Sequence, residues 1–459
     1  MAERFEIVEK AILKMVEDKK YATLRDILIT MNPADIAGIF NSLEDKRIPL
    51  MFRLLPKELA AATFVEMEPE DQELLIRGFS DNELKEVLDE LYVDDAVDIV
   101  EEMPANVVRR ILSQVDPEMR QSINQILRYP ENSAGAWMTT EYVSLRPNMT
   151  VEESILRIRR QGVDKETIYT CYVTKDRTLM GIVTVKDLLL AEDDEMLISD
   201  LMLETELISV TTHTDQEEVA RIFSKYDFLA LPVVDMENRM VGIVTVDDAI
   251  DVMEEEATED IELMGGMLPS ENTYLRSSVW ELFKNRIPWL LFLMLSATFT
   301  GMIINSFEGA LAAQVALTAF IPMLMGTGGN SGSQSSVTII RALSLDEVEF
   351  SDLPRVVWKE IRTAVLCGLA LAIVCFIKIW LVDKLLFKNE DITLMVDAVV
   401  CLAMFVTVLL AKTVGAVLPM VAKVLKLDPA VMASPFITSI VDALSLLVYF
   451  LFATMLLGI

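Results

Sequence analysis

Pro322-Met-Leu-Met-Gly-Thr-Gly-Gly-Asn-Ser-Gly-Ser-Gln-Ser-Ser336 lies inside a long apolar run, yet Gly326, Gly328, Gly329, Asn330, Gly332 and Gln334 crowd into nine residues of it. Lipid gives no reason to collect glycines, hydroxyls and amides there, because polar groups left in hydrocarbon carry a cost. Two readings stay open. Either helices approach closely at the glycines, or the backbone faces water.

Around this stretch, apolar spans at roughly 287–304, 311–340, 363–382, 395–421 and 434–457 are each long enough to cross ~30 Å of hydrocarbon. Lys284 and Arg286 precede the first span, Arg341, Arg355, Lys359 and Arg362 separate the second and third, and Lys423 and Lys426 follow the fourth. That pattern, with no charged-then-apolar leader, predicts a multi-pass protein of the plasma (inner) membrane with a cytoplasmic N-terminus and the C-terminus outside. Asp442, well inside the last span, costs at least ~2.5–3.5 kcal/mol on insertion scales, so it is expected to face a pore, a partner or an ion. A protonated aspartate bonded to a neighbouring helix is the structural alternative. Asp397 reads as a mouth or interfacial residue, and Lys412 as a snorkelling or paired one.

Charge divides the chain. Lys284–Ile459 holds 12 Lys+Arg and 12 Asp+Glu, so the remaining 28 of 40 basic and 59 of 71 acidic groups, and the whole net charge of −31, belong to residues 1–283. Such a region repels phosphates and excludes nucleic acid as a partner. With four scattered cysteines and one histidine, His213, soft metal sites are poorly supplied, whereas oxygen-seeking cations are well served.

From Asn32 the sequence repeats about every 12 residues, with blocks opening at Asn32, Glu44, Pro56, Glu68, Ser80, Tyr92, Pro104 and Asp116. Proline or a capping residue stands at or after most starts, followed by apolar residues at helical spacing. Helices this short must stack to survive, which predicts an acidic all-α solenoid over 1–132. Asp94, Asp95, Asp98, Glu101 and Glu102 read as its solvated face, with cation-linked contacts as the alternative.

A second repeat follows. Met180-Gly-Ile-Val-Thr-Val-Lys-Asp187 returns as Met240-Val-Gly-Ile-Val-Thr-Val-Asp-Asp248, and Thr170–Thr174 parallels Ala230–Val234. Each copy reads as helix, strand, turn, strand, helix, and the pair resembles tandem CBS (cystathionine-β-synthase) domains over 133–200 and 201–256. The resemblance implies a regulatory module, often dimeric, with adenosine nucleotide such as ATP as a ligand at Thr184, Asp187, Thr245 and Asp248. Helix capping explains the same four residues and is the preferred reading. Beyond the repeat, Asp248, Asp251, Glu255 and Glu259, and Glu256 with Asp260, stand three or four apart on a helix, where like charges repel unless neutralised.

Acidic helical domain, tandem CBS repeat, a connecting (plug) helix over 257–283 and five membrane spans over 284–459, in that order, resemble the MgtE family of magnesium channels and transporters. Gly328-Gly-Asn-x-Gly-x-Gln334 and Asp428-Pro-Ala…Pro435-Phe…Asp442 carry the resemblance most specifically. It implies a homodimer with a Mg²⁺ pathway lined by the second and fifth spans, in which Asp442, Asn330, Gly328, Gly329 and Gln334 contact the ion or its water shell. Asp95, Asp227, Asp248, Asp251, Glu256, Glu259, Asp260 and Asp428 become regulatory Mg²⁺ ligands that close the pore. Physical chemistry agrees: Mg²⁺ keeps its waters, and no Walker-type motif for ATP-driven pumping occurs. No nucleophile–base or paired acid set suggests an enzyme. A path for another hard divalent cation (Mn²⁺, Ca²⁺, Co²⁺) and a non-transporting, membrane-tethered nucleotide sensor are the competing readings.

Overall fold

The computed structural model describes residues 2–203, 207–270, 274, 277–386, 392–432 and 434–458. They form two compact units, Met1–Met253 and Glu254–Ile459.

In the first unit, α1 (Ala2–Glu17) and α2 (Tyr21–Leu28) lead into the repeats: α3 (Pro33–Asn41), α4 (Ile48–Phe52), α5 (Lys57–Val65), α6 (Pro69–Gly78), α7 (Asp81–Leu88), α8 (Val93–Glu102), α9 (Ala105–Gln114) and α10 (Pro117–Ile126). Most begin one residue after the start of a sequence block. Asn32 and Asp116 accept hydrogen bonds from Ala34 and Met119 amides, and Ser80 forms a reciprocal capping box with Glu83. The block at Glu44 departs from the pattern: its helix starts four residues in and is reduced to the five residues of α4. Phe40, Phe64, Leu75, Leu88, Val97 and Ile111 are fully buried and join neighbouring helices in one core.

The CBS repeat folds into two three-stranded sheets. β1 (Ser144–Leu145), β2 (Thr170–Lys175) and β3 (Thr178–Thr184) form one; β4 (Val210–Thr211), β5 (Ala230–Val234) and β6 (Met240–Thr245) form the other. Helices α11 (Val151–Gln161), α12 (Val185–Leu190), α13 (Ile198–Leu201), α14 (Gln216–Tyr226) and α15 (Val246–Met264) accompany them. Each repeat lends a segment to the other: Thr139 bridges Ile243 of β6, and Leu203 bridges Ile182 of β3. This crossing explains the repeated glycine of Gly-Ile-Val-Thr. A Cβ on Gly181 would lie 2.9 Å from the Leu203 carbonyl, and one on Gly242 2.6 Å from the Thr139 carbonyl.

α15 runs without interruption from the second repeat to Met264, so no separate helix starts at 257. It stops at Gly265-Gly266, where Gly266 has φ +70°. Residues 271–273 and 275–276 of the expected connecting segment lie outside the described residues, and α16 already begins at Val279.

The second unit continues with α16 (Val279–Ser306), α17 (Glu308–Ala313), α18 (Ile321–Ser344), α19 (Leu353–Lys378), α20 (Leu394–Val424) and α21 (Ser434–Leu457). Among the described residues, four stretches are long and apolar enough to cross a membrane: Val279–Ser306, Phe350–Leu386, Leu394–Val424 and Pro429–Leu457. The Gly-rich stretch lies in α18, whose 24 residues reach about 36 Å but whose glycines, hydroxyls and amides keep it out of that apolar class. The expected second span at 311–340 is thus corrected. Its first ten residues are the end of α17, the linking Gln314 and a 3₁₀ turn, Val315–Phe320, and Pro322, lacking an amide N–H, sits in the first turn of α18. The buried Tyr449 hydroxyl of α21 holds that turn by donating to the Leu317 carbonyl at 2.9 Å.

α18 is continuous helix through its glycines, so their carbonyls are engaged within the helix and close packing is what the glycines serve. A Cβ on Gly328 would meet Ser445, Thr407 and Val441 within 3.0 Å, and one on Gly332 would meet Ile437 at 2.8 Å. Gly415 of α20 backs onto the Gly332 carbonyl, whereas Gly326 has open space around its Cβ position. Gly415→Val is therefore expected to destabilise the second unit by at least ~2 kcal/mol, the scale of overpacking. Gly326→Ala should leave stability unchanged or raised. Thermal melting of the detergent-solubilised protein, read by size-exclusion recovery, distinguishes the two.

Candidate functional site

On α18 the residues facing away from α20 and α21 are Pro322, Gly326, Asn330, Gln334, Thr338 and Arg341, all exposed and spaced three or four apart. Gly328 and Gly329 lie on the opposite, buried face. The structure thus separates the expected ion-contacting set: Asn330 and Gln334 are on the open face, Gly328 and Gly329 in the packing seam. Val441 would meet a Cβ on either Gly328 or Gly332, so Asp442, the next residue of α21, stands at the level of the turn that carries Asn330. Asp442 is half-buried, and its Oδ1 is buried with no hydrogen-bond partner. An unpartnered carboxylate oxygen among apolar helices is costly unless a cation or water completes it.

Behind the stripe, Lys412 of α20 is 5% exposed, and its Nζ lies 3.3 Å from Ser335 Oγ, which donates to Glu360 Oε2 of α19 at 2.6 Å. Lys412 is therefore paired and does not snorkel; nothing in sequence spacing linked these three residues. Asp397, in the first turn of α20, is fully buried with Oδ2 3.1 Å from Lys384 Nζ.

Where α15 ends, Leu263 packs with Ile340 of α18 and Ala430. Asp428 accepts from the Ala430 amide at 2.7 Å, capping the 3₁₀ turn Pro429–Met432. Partial burial and then Asp428 push the Glu259 carboxyl up, which places these two expected ligands in mutual range. Asp260 and Glu256 are half-buried on the same helix.

The first unit holds a denser acidic group. Asp94 and Asp95 of α8, Glu141 and Glu166 of the first repeat, Asp247, Asp248 and Asp251 of α15, and Glu66 influence one another's ionisation. Asp94 is only 7% exposed with Oδ1 unpartnered, as is Glu166 Oε2; for Asp94 the solvated-face reading is corrected. Asp98 keeps an exposed surface, but burial of its carboxyl and then Asp248 and Asp95 raise it well above the ordinary range, so it joins the group; Glu101 and Glu102 are exposed. Burial, reinforced by neighbouring carboxylates, raises Asp94 well above the ordinary range, Asp95 to about 6, Asp248 to about 7 and Glu166 to about 8. Asp95, Asp248 and Asp251 are brought together; Asp227 is not, being the exposed, left-handed C-cap of α14. The sequence reading missed Glu66, Glu141, Glu166 and Asp247, which meet only through the fold. Among the described residues no three acidic, histidine or cysteine side chains converge closely enough to hold a bare metal ion.

Thr184 Oγ1 donates to Asp187 Oδ2 at 2.5 Å within a full capping box, and Thr245 Oγ1 to Asp248 Oδ2 at 2.6 Å. Both pairs act as the caps preferred from sequence.

Residues 321–452 match the MgtE family model, a divalent cation transporter; 31–132 match the MgtE intracellular N domain; 134–194 and 198–255 match the CBS domain. The chain is 37% identical over 439 residues to the magnesium transporter MgtE of Thermus thermophilus, covering 95% of each. The chain belongs to the MgtE family. It is also 32% identical to the Bacillus subtilis magnesium transporter MgtE, covering 96% of each. Among solved structures it resembles the cytosolic domain of the Mg²⁺ channel MgtE in complex with ATP, with TM-score 0.50, 36% identity, and coverage of 53% of this chain and 99% of that one. Membership in this transporter family accounts for an acidic helical domain, a CBS pair and apolar membrane helices in one chain.

The acidic group carries a pH signature. Carboxyls whose folded values are raised bind more protons in the folded than in the unfolded state between about pH 4 and their folded values. They therefore subtract stability as pH rises from 5 towards 8. Calorimetry of residues 1–264 in chelator should show Tm falling over that range, and Asp94→Asn should flatten the fall. A Tm that rises with pH would contradict the assigned shifts.

Proposed function

We propose that this chain is a Mg²⁺ channel that admits the ion passively and is closed by cytoplasmic Mg²⁺. The observation that carries the proposal is the unpartnered Asp442 oxygen at the level of Asn330. One carboxylate with amides beside it suits an ion that keeps its water shell, because the contacts are made to water and not to the bare metal. An inside-negative potential drives two charges inward by about 4.6 kcal/mol per 100 mV, so no coupled energy source is needed.

The exposed polar stripe of α18 is unsuited to lipid, which supports a homodimer in which two stripes face each other across a water-filled path. Flanking Lys and Arg support a cytoplasmic position for the N-terminal domains of an inner-membrane protein, and a fifth crossing by α18 would leave the C-terminus outside. Closure follows from charge. The acidic group of the first unit and the Glu259–Asp428 pair carry like charges that a hydrated divalent ion neutralises, so Mg²⁺ stabilises the conformation in which they are closest. Because α15 carries carboxylates from Asp247 to Glu262, neutralisation at one end bears on the other. ATP, present with the cytosolic domain of a relative, is proposed as a modulating ligand of the CBS pair at the Thr184/Asp187 and Thr245/Asp248 clefts.

Mg²⁺ flux into proteoliposomes, measured against the Mg²⁺ concentration facing the soluble domains, tests this reading. Wild-type flux should fall as that concentration rises, and Asp442→Asn should lower flux at least tenfold at every concentration with normal incorporation. Unchanged flux in Asp442→Asn would overturn the pathway; flux indifferent to Mg²⁺ would overturn the closure.

A further inference from the structure

The first unit also contains a region of opposite charge. A depression of about 610 Å³, open to solvent, lies between α10, α11, the segment before β1 and the β2–β3 turn. Arg157, Arg160, Lys165 and Arg177 line it, Gln125 and Tyr142 add polar atoms, and none of its lining residues is acidic. Over residues 1–283 acidic groups outnumber basic ones 59 to 28, so four cations sharing a wall with no carboxylate are not a sample of the surrounding surface. Among the described residues none of the four has a carboxylate at ion-pair distance. Arg157 Nε is occupied by Gln161 Oε1 at 3.2 Å, which orients the guanidinium and leaves its terminal nitrogens available.

The duplicated fold supplies an internal comparison. α11 and α14 are both 11-residue helices entered through a capping residue, Thr150 and Asp215. In register, Ile222 stands where Arg157 does, and Asn238 of the second turn stands where Arg177 does. Lys225 stands where Arg160 does, so the cations the fold does not require are those at 157 and 177. Arg157 and Arg160, three apart on one helix, also repel each other. Arg177 is held in place: its φ of +69° is left-handed, and its carbonyl accepts from the Met240 amide of β6 at 2.8 Å.

We propose that this cavity binds a small polyanion carrying two or more phosphate groups. Its volume lies within the range of small-molecule pockets and exceeds what a single phosphate fills, while guanidinium forks match phosphate oxygens. None of Thr184, Asp187, Thr245 and Asp248 lines it, so the site is separate from the proposed nucleotide positions and independent of the ion pathway. Walls from both α10 and the first CBS repeat mean that the ligand ties the solenoid to the CBS pair.

Titration calorimetry of the full-length protein in detergent and chelator, with inorganic tripolyphosphate, provides the test. Saturable binding is expected, weakened at least tenfold by Arg157→Gln with Arg160→Gln, weakened also by Arg177→Gln in the exposed turn, and unchanged by Lys85→Gln, an exposed cation of α7 outside the cavity. If ATP displaces tripolyphosphate, the ligand class is nucleoside polyphosphates; if it does not, the class is polyphosphates without a nucleoside, and both support the site. Absence of tripolyphosphate binding, or binding indifferent to both arginine variants, overturns it.

Discussion

Backbone-close packing of α18 against α20 and α21 is the constraint on which the membrane unit depends. Gly328, Gly329 and Gly332 let Val441, Thr438 and Ile437 press against the helix, and Gly415 lets α20 approach the same turn. With that face filled, the amides and hydroxyls of the stretch have only the opposite face to occupy. Lys412, Ser335 and Glu360 fix the rotation further, since turning α18 would leave a buried ammonium without its partner. The proposed pathway is thus a consequence of packing: the glycines place the stripe, and α21 brings Asp442 to its level.

The soluble part works in the opposite sense, by holding like charges together. Asp94, Asp95, Asp248 and Glu166 come from three separate parts of the chain, and the fold leaves two of their oxygens unpartnered. Such a group stores repulsion that protons or divalent ions relieve.

Much of this was legible in the sequence, for identifiable reasons. The 12-residue period and its caps located most solenoid helices because short helices depend on their first turns. The returning Gly-Ile-Val-Thr gave both sheets, and the structure adds why the glycine is there: a crossing segment passes over it. Asp442 stood out by chemistry alone. What stayed hidden depends on neighbours distant in the chain. Asp94 looks like its exposed neighbours until Asp248 and the first repeat cover it, and Lys412 finds Ser335 across 77 residues. The start of α18 was misplaced because hydropathy does not see a 3₁₀ turn, although Pro322 marked the new beginning. The boundary at 257 falls inside one helix, because α15 continues from the second repeat to Met264.

In the proposed pathway the outward face of α18 lines a water-filled route for the ion. Thiol accessibility tests it directly, in a background with Cys171, Cys367, Cys375 and Cys401 replaced. Asn330→Cys or Gln334→Cys should react with a water-soluble, positively charged thiol reagent and lose Mg²⁺ flux on modification, with external Mg²⁺ slowing the reaction. Ile339→Cys, in the packing seam, should stay unreactive. Stripe positions that remain unmodified, or that are modified without loss of flux, would contradict the account.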